Sequence, residues 1–295
     1  MARPSAAALT AALNPLRFLG RGVLDATLPQ TCVSCGGWIA GEGRLACDAC
    51  HKKITVAMAR PYCSRCGRTL PRESIHEDGC ARCRTEPFWN VAGVARVSTY
   101  VPKIRPIVLG LKYHGRERNA AYLADLLVAA LRRCTWAKDL DALVPVPMHL
   151  LRRWQRPCDH AQVLTEAVAS RLKKPIVRLV CRTRHSPSQT GMMSKAQRFE
   201  NVKGCFGPPP SWWQLVPPWR GRQSVAGKTV CIVDNLMAAG ATVYEVSKVL
   251  RKAGAKRIYA AVLARSASPG DPPTNPEGVL GDAPDDSALG YSSDT

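Results

Sequence analysis

Eight of the 13 cysteines in this chain fall into four Cys-x-x-Cys pairs, and their spacing constrains the fold more than any other feature. A two-residue spacing lets one turn aim two thiolates at a tetrahedral ion, and four thiolates complete the coordination of a structural zinc ion. Regular pairs of soft ligands favour zinc over an iron–sulfur cluster. The sequence therefore predicts two zinc ribbons in series, but it leaves open whether consecutive or interleaved pairs share an ion. The predicted ligands are Cys32, Cys35, Cys47, Cys50, Cys63, Cys66, Cys80 and Cys83.

A disulfide framework is the alternative that these cysteines allow, and it requires an oxidising compartment. Residues 1–29 carry no convincing secretory signal, because Asn14 and Pro15 interrupt the apolar stretch and basic residues follow it. No run approaches the roughly 20 apolar residues of a membrane helix. We therefore expect a cytoplasmic protein that does not insert into a membrane.

The charge of the chain indicates an anionic partner. The formal net charge is +20, and the last 28 residues contain six acids and neither Lys nor Arg, so the basic excess lies in the rest of the chain. Such a protein attracts nucleic acid, phosphorylated metabolites or an anionic membrane surface. Charge alone does not choose among these partners.

The segment 228–249 has the pattern of a phosphate-binding turn. A β-branched run at 230–233 ends in Asp234 and Asn235, small residues follow at 238–242, and apolar residues then recur at helical spacing. The first turn of a helix offers unpaired N–H groups and a partial positive charge to a phosphate, and small residues let it approach. An ordinary turn between a strand and a helix is the alternative.

Strand and helix patterns alternate after the cysteine pairs, and this alternation predicts an α/β fold with a mainly parallel sheet flanked by helices. Ligands of such sheets bind at the carboxyl ends of the strands. Predicted strands lie at 91–97, 140–146, 176–180, 230–233 and 258–263, and predicted helices at 119–133, 161–172 and 243–252.

Composition divides the chain into four parts: a weakly structured leader (1–29), a double zinc-ribbon module (30–88), the α/β domain (89–266) and a disordered acidic tail (267–295). Within the domain, residues 182–204 are polar and basic and are expected to be flexible. Residues 207–225 are rich in Pro and Trp. Their tryptophans either cover local surface or stack on single-stranded bases.

The segment 228–249 resembles the ribose-phosphate signature of type I phosphoribosyltransferases, in which two acids precede Thr-Thr-Gly-x-Thr. Here Asn235 replaces the second acid, and Ala238 and Ala239 replace the threonine pair, whereas Gly240 and Thr242 keep the pattern. Four further elements stand in family order: the cysteine pairs, Leu-Lys-Tyr-His-Gly at 111–115, Val-Pro-Val-Pro and its arginines at 144–156, and the basic stretch 182–206. Together they resemble the ComF family, phosphoribosyltransferase-like proteins linked to bacterial natural competence, over about residues 30–266.

The resemblance implies a type I phosphoribosyltransferase-like fold behind the zinc module and a phosphorylated ribose ligand such as phosphoribosyl pyrophosphate. Asp234 and Asn235 would contact the ribose, the segment 238–242 would hold its phosphate, and arginines would face the pyrophosphate, with which magnesium normally binds. Gln189 and Arg198 match a loop that closes over the substrate. The Gly-Phe-Asn portion that usually follows the arginines is missing. The implied ligand-binding residues are Lys112, Arg152, Arg153, Arg156, Gln189, Arg198, Asp234, Asn235, Ala238, Ala239, Gly240, Ala241 and Thr242.

Three functions remain open at this point. In the first, the chain binds the phosphorylated ribose and transfers it with loss of pyrophosphate. In the second, it is a catalytically degenerate relative that binds single-stranded DNA or a competence helicase. In the third, it is a regulator that senses a nucleotide precursor. The altered positions Asn235, Ala238 and Ala239 leave catalysis undecided. Salt dependence distinguishes nucleic-acid binding from a cradled phosphate.

Overall fold

The computed structural model describes residues 30–39, 44–85, 90–100, 102–113, 117–156, 158–186, 194–210 and 223–266. The expected leader, the expected tail, Gln189 and the three tryptophans at 212, 213 and 219 lie outside these residues.

The strands in chain order are β1 (Gly93–Thr99), β2 (Ala142–Pro145), β3 (Cys181–Arg182), β4 (Phe206–Gly207), β5 (Thr229–Met237) and β6 (Arg257–Arg265). The helices are α1 (Asp48–Ala59), α2 (Ala81–Thr85), α3 (Arg105–Tyr113), α4 (Glu117–Arg132), α5 (Leu150–Gln155), α6 (His160–Leu172), α7 (Lys195–Val202) and α8 (Ala241–Lys252), with 3-10 turns at Arg72–Ser74 and Thr135–Asp139.

Four strands form a parallel sheet in the order β1–β6–β5–β2, as the alternating pattern predicts. Strands β3 and β4 pair separately as an antiparallel hairpin. Parallel sheets are covered on both faces, and β6 is accordingly buried along nearly its whole length. Helices α4 and α6 contribute to the core on one face of the sheet, and α8 contributes to the core on the other.

The predicted helix at 119–133 is confirmed as α4, and its apolar stripe is the face that packs. Leu123, Leu127 and Leu131 recur at helical spacing and are fully buried. The predicted helices at 161–172 and 243–252 are confirmed as α6 and α8. Gly254 adopts a positive φ of 87° just after α8 and so ends that helix as expected.

Three predictions need correction. Strand β5 does not end at Val233 but continues to Met237, because β6 pairs with it as far as Arg265. The strand predicted at 176–180 reduces to one bridge between Ile176 and Leu143, although Val177 is buried. Residues 195–202 of the stretch expected to be flexible form α7.

Helix α7 begins at a capping box. The Ser194 side chain accepts a hydrogen bond from the Gln197 backbone N–H, and the Gln197 side chain accepts one from the Ser194 N–H. This arrangement satisfies two N–H groups at the start of the helix, which explains why a polar sequence is helical here.

The two cysteine-rich ribbons pack on opposite faces of the sheet. Cys32, Ile54 and Met58 belong to the core that contains α4, whereas Cys63 and Cys66 belong to the core that contains α8. The ribbons are therefore part of the same packed body as the sheet. Within the described ranges, every helix is too short or too polar to cross a bilayer.

Candidate functional site

The eight paired cysteines form two separate clusters of four, and each cluster uses consecutive pairs. Cys32, Cys35, Cys47 and Cys50 make the first cluster, and Cys63, Cys66, Cys80 and Cys83 make the second. The structure thereby decides the pairing that the sequence left open. All 13 cysteines have free thiols, so the disulfide alternative is not realised.

The sulfur geometry fits tetrahedral zinc. A tetrahedron with Zn–S bonds of about 2.3 Å has S–S edges of about 3.8 Å. The Sγ–Sγ distances are 3.9 Å for Cys35–Cys47, 3.8 Å for Cys63–Cys83 and 3.8 Å for Cys66–Cys80. Four thiolates per cluster leave no coordination position for a substrate, so both ions would be structural.

Backbone N–H groups support the thiolates. The N–H of Cys47 lies 3.3 Å from Sγ of Cys32, and the N–H of Cys80 lies 3.3 Å from Sγ of Cys63. Such donors stabilise the negative sulfur and orient it toward an ion. Gly36 and Gly67 adopt φ values of 74° and 73°, which the turn after each first pair requires.

The second candidate site lies where β2 and β5 part at the carboxyl edge of the sheet. Their pairing ends at Pro145 and Val233, with a last hydrogen bond from the Val146 N–H to the Val233 carbonyl at 3.1 Å. Because β5 continues beyond this point, Asp234 lies beside a gap in the sheet. In parallel sheets such a gap is where ligands bind.

Asp234 is half-buried, and two cations act on it. One of its carboxylate oxygens accepts the Asn235 backbone N–H at 2.7 Å. Burial raises the pKa of the carboxyl above its usual value, and the charges of Lys112 and Arg182 oppose that rise. The structure thus brings Lys112 of α3 and Asp234 of β5 to one place, as the site assignment predicts.

Asn235 lies inside the protein. It is 1% exposed, and neither atom of its side-chain amide finds a hydrogen-bond partner among the described residues. Neighbouring residues of a strand point to opposite faces, so Asp234 and Asn235 diverge. A ribose can reach Asp234 but not the amide of Asn235 without a rearrangement.

The residues from 238 to 242 form a compact turn into α8. Ala238, Ala239 and Thr242 are half-buried. Gly240 has φ 81° and ψ 8° at the N-cap, with no side chain capping the helix. The first N–H groups of a twelve-residue helix therefore point to the same edge as Asp234.

The cations of a basic cluster at this edge come from α3, α5 and β3, beside the capped start of α6. His149 begins α5 by accepting the Leu151 N–H at 3.2 Å, and Asp159 begins α6 by accepting the Gln162 N–H at 3.2 Å. Arg156 closes α5, with its guanidinium 4.6 Å from the centre of the Tyr113 ring.

Arg152 and Arg182 are both held by Ser186. Arg152 donates to its carbonyl at 2.8 Å and Arg182 to its hydroxyl at 2.6 Å.

His160 lies among these cations. Burial lowers its pKa to about 3, with further lowering by Lys112, Arg156 and Arg152. Its Nδ1 atom is buried without a hydrogen-bond partner among the described residues. Lys112 thus acts on both acidic and imidazole groups of this edge, because it lies near Asp234 together with Arg182 and near the neutral His160 together with Arg152 and Arg156.

The other two predicted arginines, Arg153 and Arg198, lie on α5 and α7, and their site assignment remains a prediction. Arg153 is exposed on α5. Arg198 lies on α7, which packs on α8 through the rings of Phe199 and Tyr244, 5.7 Å apart. For Gln189, the site assignment remains a prediction.

Sequence reasoning missed Arg182, Ser186 and His160. The basic segment 182–206 stood out as a motif, but no role was predicted for its residues Arg182 and Ser186. His160 belongs to a segment that carries no ligand pattern. Only the tertiary contacts with Arg152, Asp234 and Lys112 identify them.

Comparison with known protein families finds a matching domain for each of the two parts of the chain. The double zinc ribbon domain matches residues 23–89, and the phosphoribosyl transferase domain matches residues 159–281. The chain is 28% identical over 240 residues to competence protein F of Haemophilus influenzae, which covers 80% of this chain and 96% of that protein. It is 28% identical over 245 residues to the DNA utilization protein YhgH of Escherichia coli K12, covering 81% and 99%.

Among solved structures, the chain aligns with a purine phosphoribosyltransferase from Pyrococcus horikoshii Ot3. The alignment has a TM-score of 0.31 and 16% identity, and it covers 49% of this chain and 73% of that one.

Proposed function

We propose that the chain is a member of the ComF family and that it binds a phosphorylated ribose compound such as phosphoribosyl pyrophosphate at the carboxyl edge of its sheet. The observation that carries this proposal is a network of cations at this edge: Lys112 and Arg182 act on Asp234, and Arg152 and Arg156 act with Lys112 on His160. A carboxylate beside such a network suits a ligand that combines sugar hydroxyls with several phosphate charges.

Each part of the ligand has a proposed partner. Asp234 accepts hydrogen bonds from the ribose hydroxyls. The turn from Ala238 to Thr242 donates backbone N–H groups and the Thr242 hydroxyl to the ribose phosphate. The arginine cluster pairs with the pyrophosphate. Because Ala238 and Ala239 lack hydroxyls, we expect binding weaker by roughly 1 kcal/mol for each missing donor than with the threonine pair.

Magnesium, in this proposal, enters with the pyrophosphate rather than in a protein cage. Asp234 is the carboxylate at the gap, and its neighbour Asn235 is neutral and buried. Magnesium binds readily through substrate phosphates and few protein ligands. Affinity for phosphoribosyl pyrophosphate should therefore rise with magnesium, whereas magnesium alone should give little heat.

Transfer of the ribose phosphate to an acceptor remains a separate proposal. It would form a bond from the acceptor to the sugar carbon and break the bond from that carbon to pyrophosphate, which leaves with the electron pair. Release of pyrophosphate in the presence of nucleobases or amines measures this step directly. Binding without release would identify a relative that has kept the site and lost the chemistry.

The decisive experiment is calorimetric titration of the zinc-loaded protein with phosphoribosyl pyrophosphate and magnesium. Thr242→Arg places a long side chain at the start of α8, where the phosphate would lie, and should abolish binding. Thr55→Arg adds the same charge on the exposed face of α1 and should bind like the wild type. No heat at millimolar ligand in a folded protein that contains zinc would exclude this function.

The exposed apolar and basic side chains of α5 favour single-stranded DNA as a second proposed ligand. On α5, Trp154 is 90% exposed, Leu150 68% and Leu151 59%, and Arg152 and Arg153 belong to the same six residues. Exposed aromatic rings beside arginines are what non-specific single-strand binding uses. The names of the competence and DNA utilization relatives agree with such a role.

The test is anisotropy of a labelled oligothymidine at several salt concentrations. Loss of one stacking contact is worth about 1–3 kcal/mol, so Trp154→Ala should weaken binding about fivefold or more. Trp38→Ala removes another exposed ring, on the first ribbon, and is the matched control. Equal affinity of the two variants would exclude α5 as the binding surface.

A further inference from the structure

The polypeptide around the second cysteine cluster lies directly against the strand ends that precede the 238–242 segment. The Nε atom of Arg265, the last residue of β6, donates to the carbonyl of Cys66 at 2.8 Å. Arg265 is 5% exposed. Its partner across the sheet is Met237, which is 2% exposed and directly precedes Ala238.

Gly67 makes this contact close. It follows Cys66 in the turn and has a φ of 73°, and a Cβ at this position would lie 3.2 Å from Cδ of Arg265 and 3.3 Å from Cε of Met237. The positive φ favours glycine, and a Cβ would press on both side chains. The turn of the second cluster therefore packs closely against both strand ends.

Two backbone hydrogen bonds extend the same contact. The Val94 N–H of β1 donates to the carbonyl of Ser64, inside the Cys63–Cys66 turn, at 2.7 Å. The Ser266 N–H donates to the Met237 carbonyl at 3.0 Å, so the pairing of β5 with the chain after β6 reaches the residue just before the turn. The connection from the Cys66 carbonyl to Met237 thus runs through the Arg265 side chain, the bonded residue Ser266 and the Ser266 N–H.

The first ribbon makes different contacts on the other face. Ser34 donates from its hydroxyl to the Lys103 carbonyl at 2.7 Å, and Arg133 donates to the Met58 carbonyl at 2.8 Å. These contacts lead to the start of α3 and the end of α4. Neither of these two hydrogen bonds involves β5.

We propose that Arg265 is a positioning residue, which connects the second zinc cluster to the 238–242 segment and holds the phosphate-binding turn in shape. The ion fixes the Cys63–Cys66 turn, the turn presents the Cys66 carbonyl, and Arg265 orients the last pair of the β5–β6 ladder. The role of the turn as a ligand site rests on the proposed function, but the connection itself lies within this chain. The two zinc clusters are therefore unequal, and only the second one controls the edge of the sheet.

Hydrogen exchange measures this connection without any ligand. In Arg265→Lys the positive charge stays, but the Nε donor and the planar guanidinium are lost. We expect amide exchange over residues 236–243 to accelerate about five- to tenfold, because local opening becomes easier. Zinc content should remain at two ions, and exchange over α4 should not change.

Arg133→Lys is the matched control, since it removes an arginine contact to a carbonyl on the opposite face. Its effect should stay near Met58 and the end of α4. Unchanged exchange over residues 236–243 in an Arg265→Lys protein that holds both ions would overturn the proposal.

A second measurement needs no variant. Mild chelation of the wild type removes part of the zinc, and alkylation with mass spectrometry identifies which cysteines have lost it. Loss from the Cys63 cluster should accelerate exchange over 236–243, and loss from the Cys32 cluster should not. Equal effects of the two losses would contradict the proposal even if Arg265→Lys fails to fold.

Titration of the same variants with phosphoribosyl pyrophosphate separates the two proposals. If the wild type binds, Arg265→Lys should bind at least fivefold more weakly than Arg133→Lys. If the wild type does not bind, the proposed function fails, while the exchange experiments still decide whether the second cluster controls the turn.

Discussion

His160 is kept neutral by its surroundings in the folded protein. Burial and three cations lower its pKa to about 3, whereas the ordinary pKa of histidine is about 6.5. Below pH 6.5 the unfolded chain therefore binds a proton that the folded chain does not. The effect of His160 on the folding free energy is therefore close to zero well above pH 6.5, and it increasingly opposes folding as the pH falls from 6.5 toward 3.

The prediction at this scale is a stability loss in mild acid that depends on His160. At pH 5.5 the protonation of the unfolded histidine should cost about 1.4 kcal/mol of folding free energy relative to pH 7.5. His160→Gln should remove that difference, whereas His185→Gln, at an exposed position near the same site, should keep it. Urea unfolding at the two pH values measures the effect, and an identical pH dependence in wild type and His160→Gln would show that another group is responsible.

At the scale of single elements, β5 separates what the sequence can predict from what it cannot. The apolar run at 230–233 predicts a strand correctly because burial on both faces leaves a local pattern. The extension through Asp234 to Met237 has no such pattern, since these residues are strand only through pairing with β6. The opposite burial of Asp234 and Asn235 follows from that pairing. The family resemblance implied a ribose contact for both residues, whereas only Asp234 is partly exposed.

The same distinction applies to the two candidate sites. The eight cysteines of the two clusters were predicted completely, because each pair lies within one turn and the spacing along the chain sets the distance between its two sulfurs. The basic cluster and the His160 beside it come from separate elements of the chain, α3, α5, α6 and the β3–β4 hairpin. Only the folded structure shows that Arg182 and His160 lie together there. Helix α7 is a third case, because its capping residues Ser194 and Gln197 were a local signal within a segment that looked unstructured.

At the scale of the whole molecule, the cysteine-rich segment and the sheet share their cores. Ile54 of α1 is fully buried in the core that contains Leu127 of α4, and Cys63 is fully buried in the core that contains Val262 of β6. The boundary expected near residue 88 is therefore a boundary in composition and motif, and apolar packing continues across it. Because one ribbon packs on each face of the sheet, we expect zinc to be necessary for the stability of the sheet.

The last prediction is that zinc loss destabilises the entire protein in one transition. Structural zinc contributes on the order of 10 kcal/mol to small domains, and about 1 kcal/mol shifts Tm by 2–4 °C in a protein of this size. Cys80→Ser removes a buried ligand of the second cluster and should lower Tm by more than about 10 °C, with the far-ultraviolet signals of sheet and helices lost together. Cys181→Ser changes a half-buried cysteine outside both clusters and should shift Tm by only a few degrees. Two separate transitions in Cys80→Ser, with the later one at the wild-type Tm, would mean that the sheet stands without its ribbons. A single transition would mean that the two ribbons and the parallel sheet unfold as one cooperative unit.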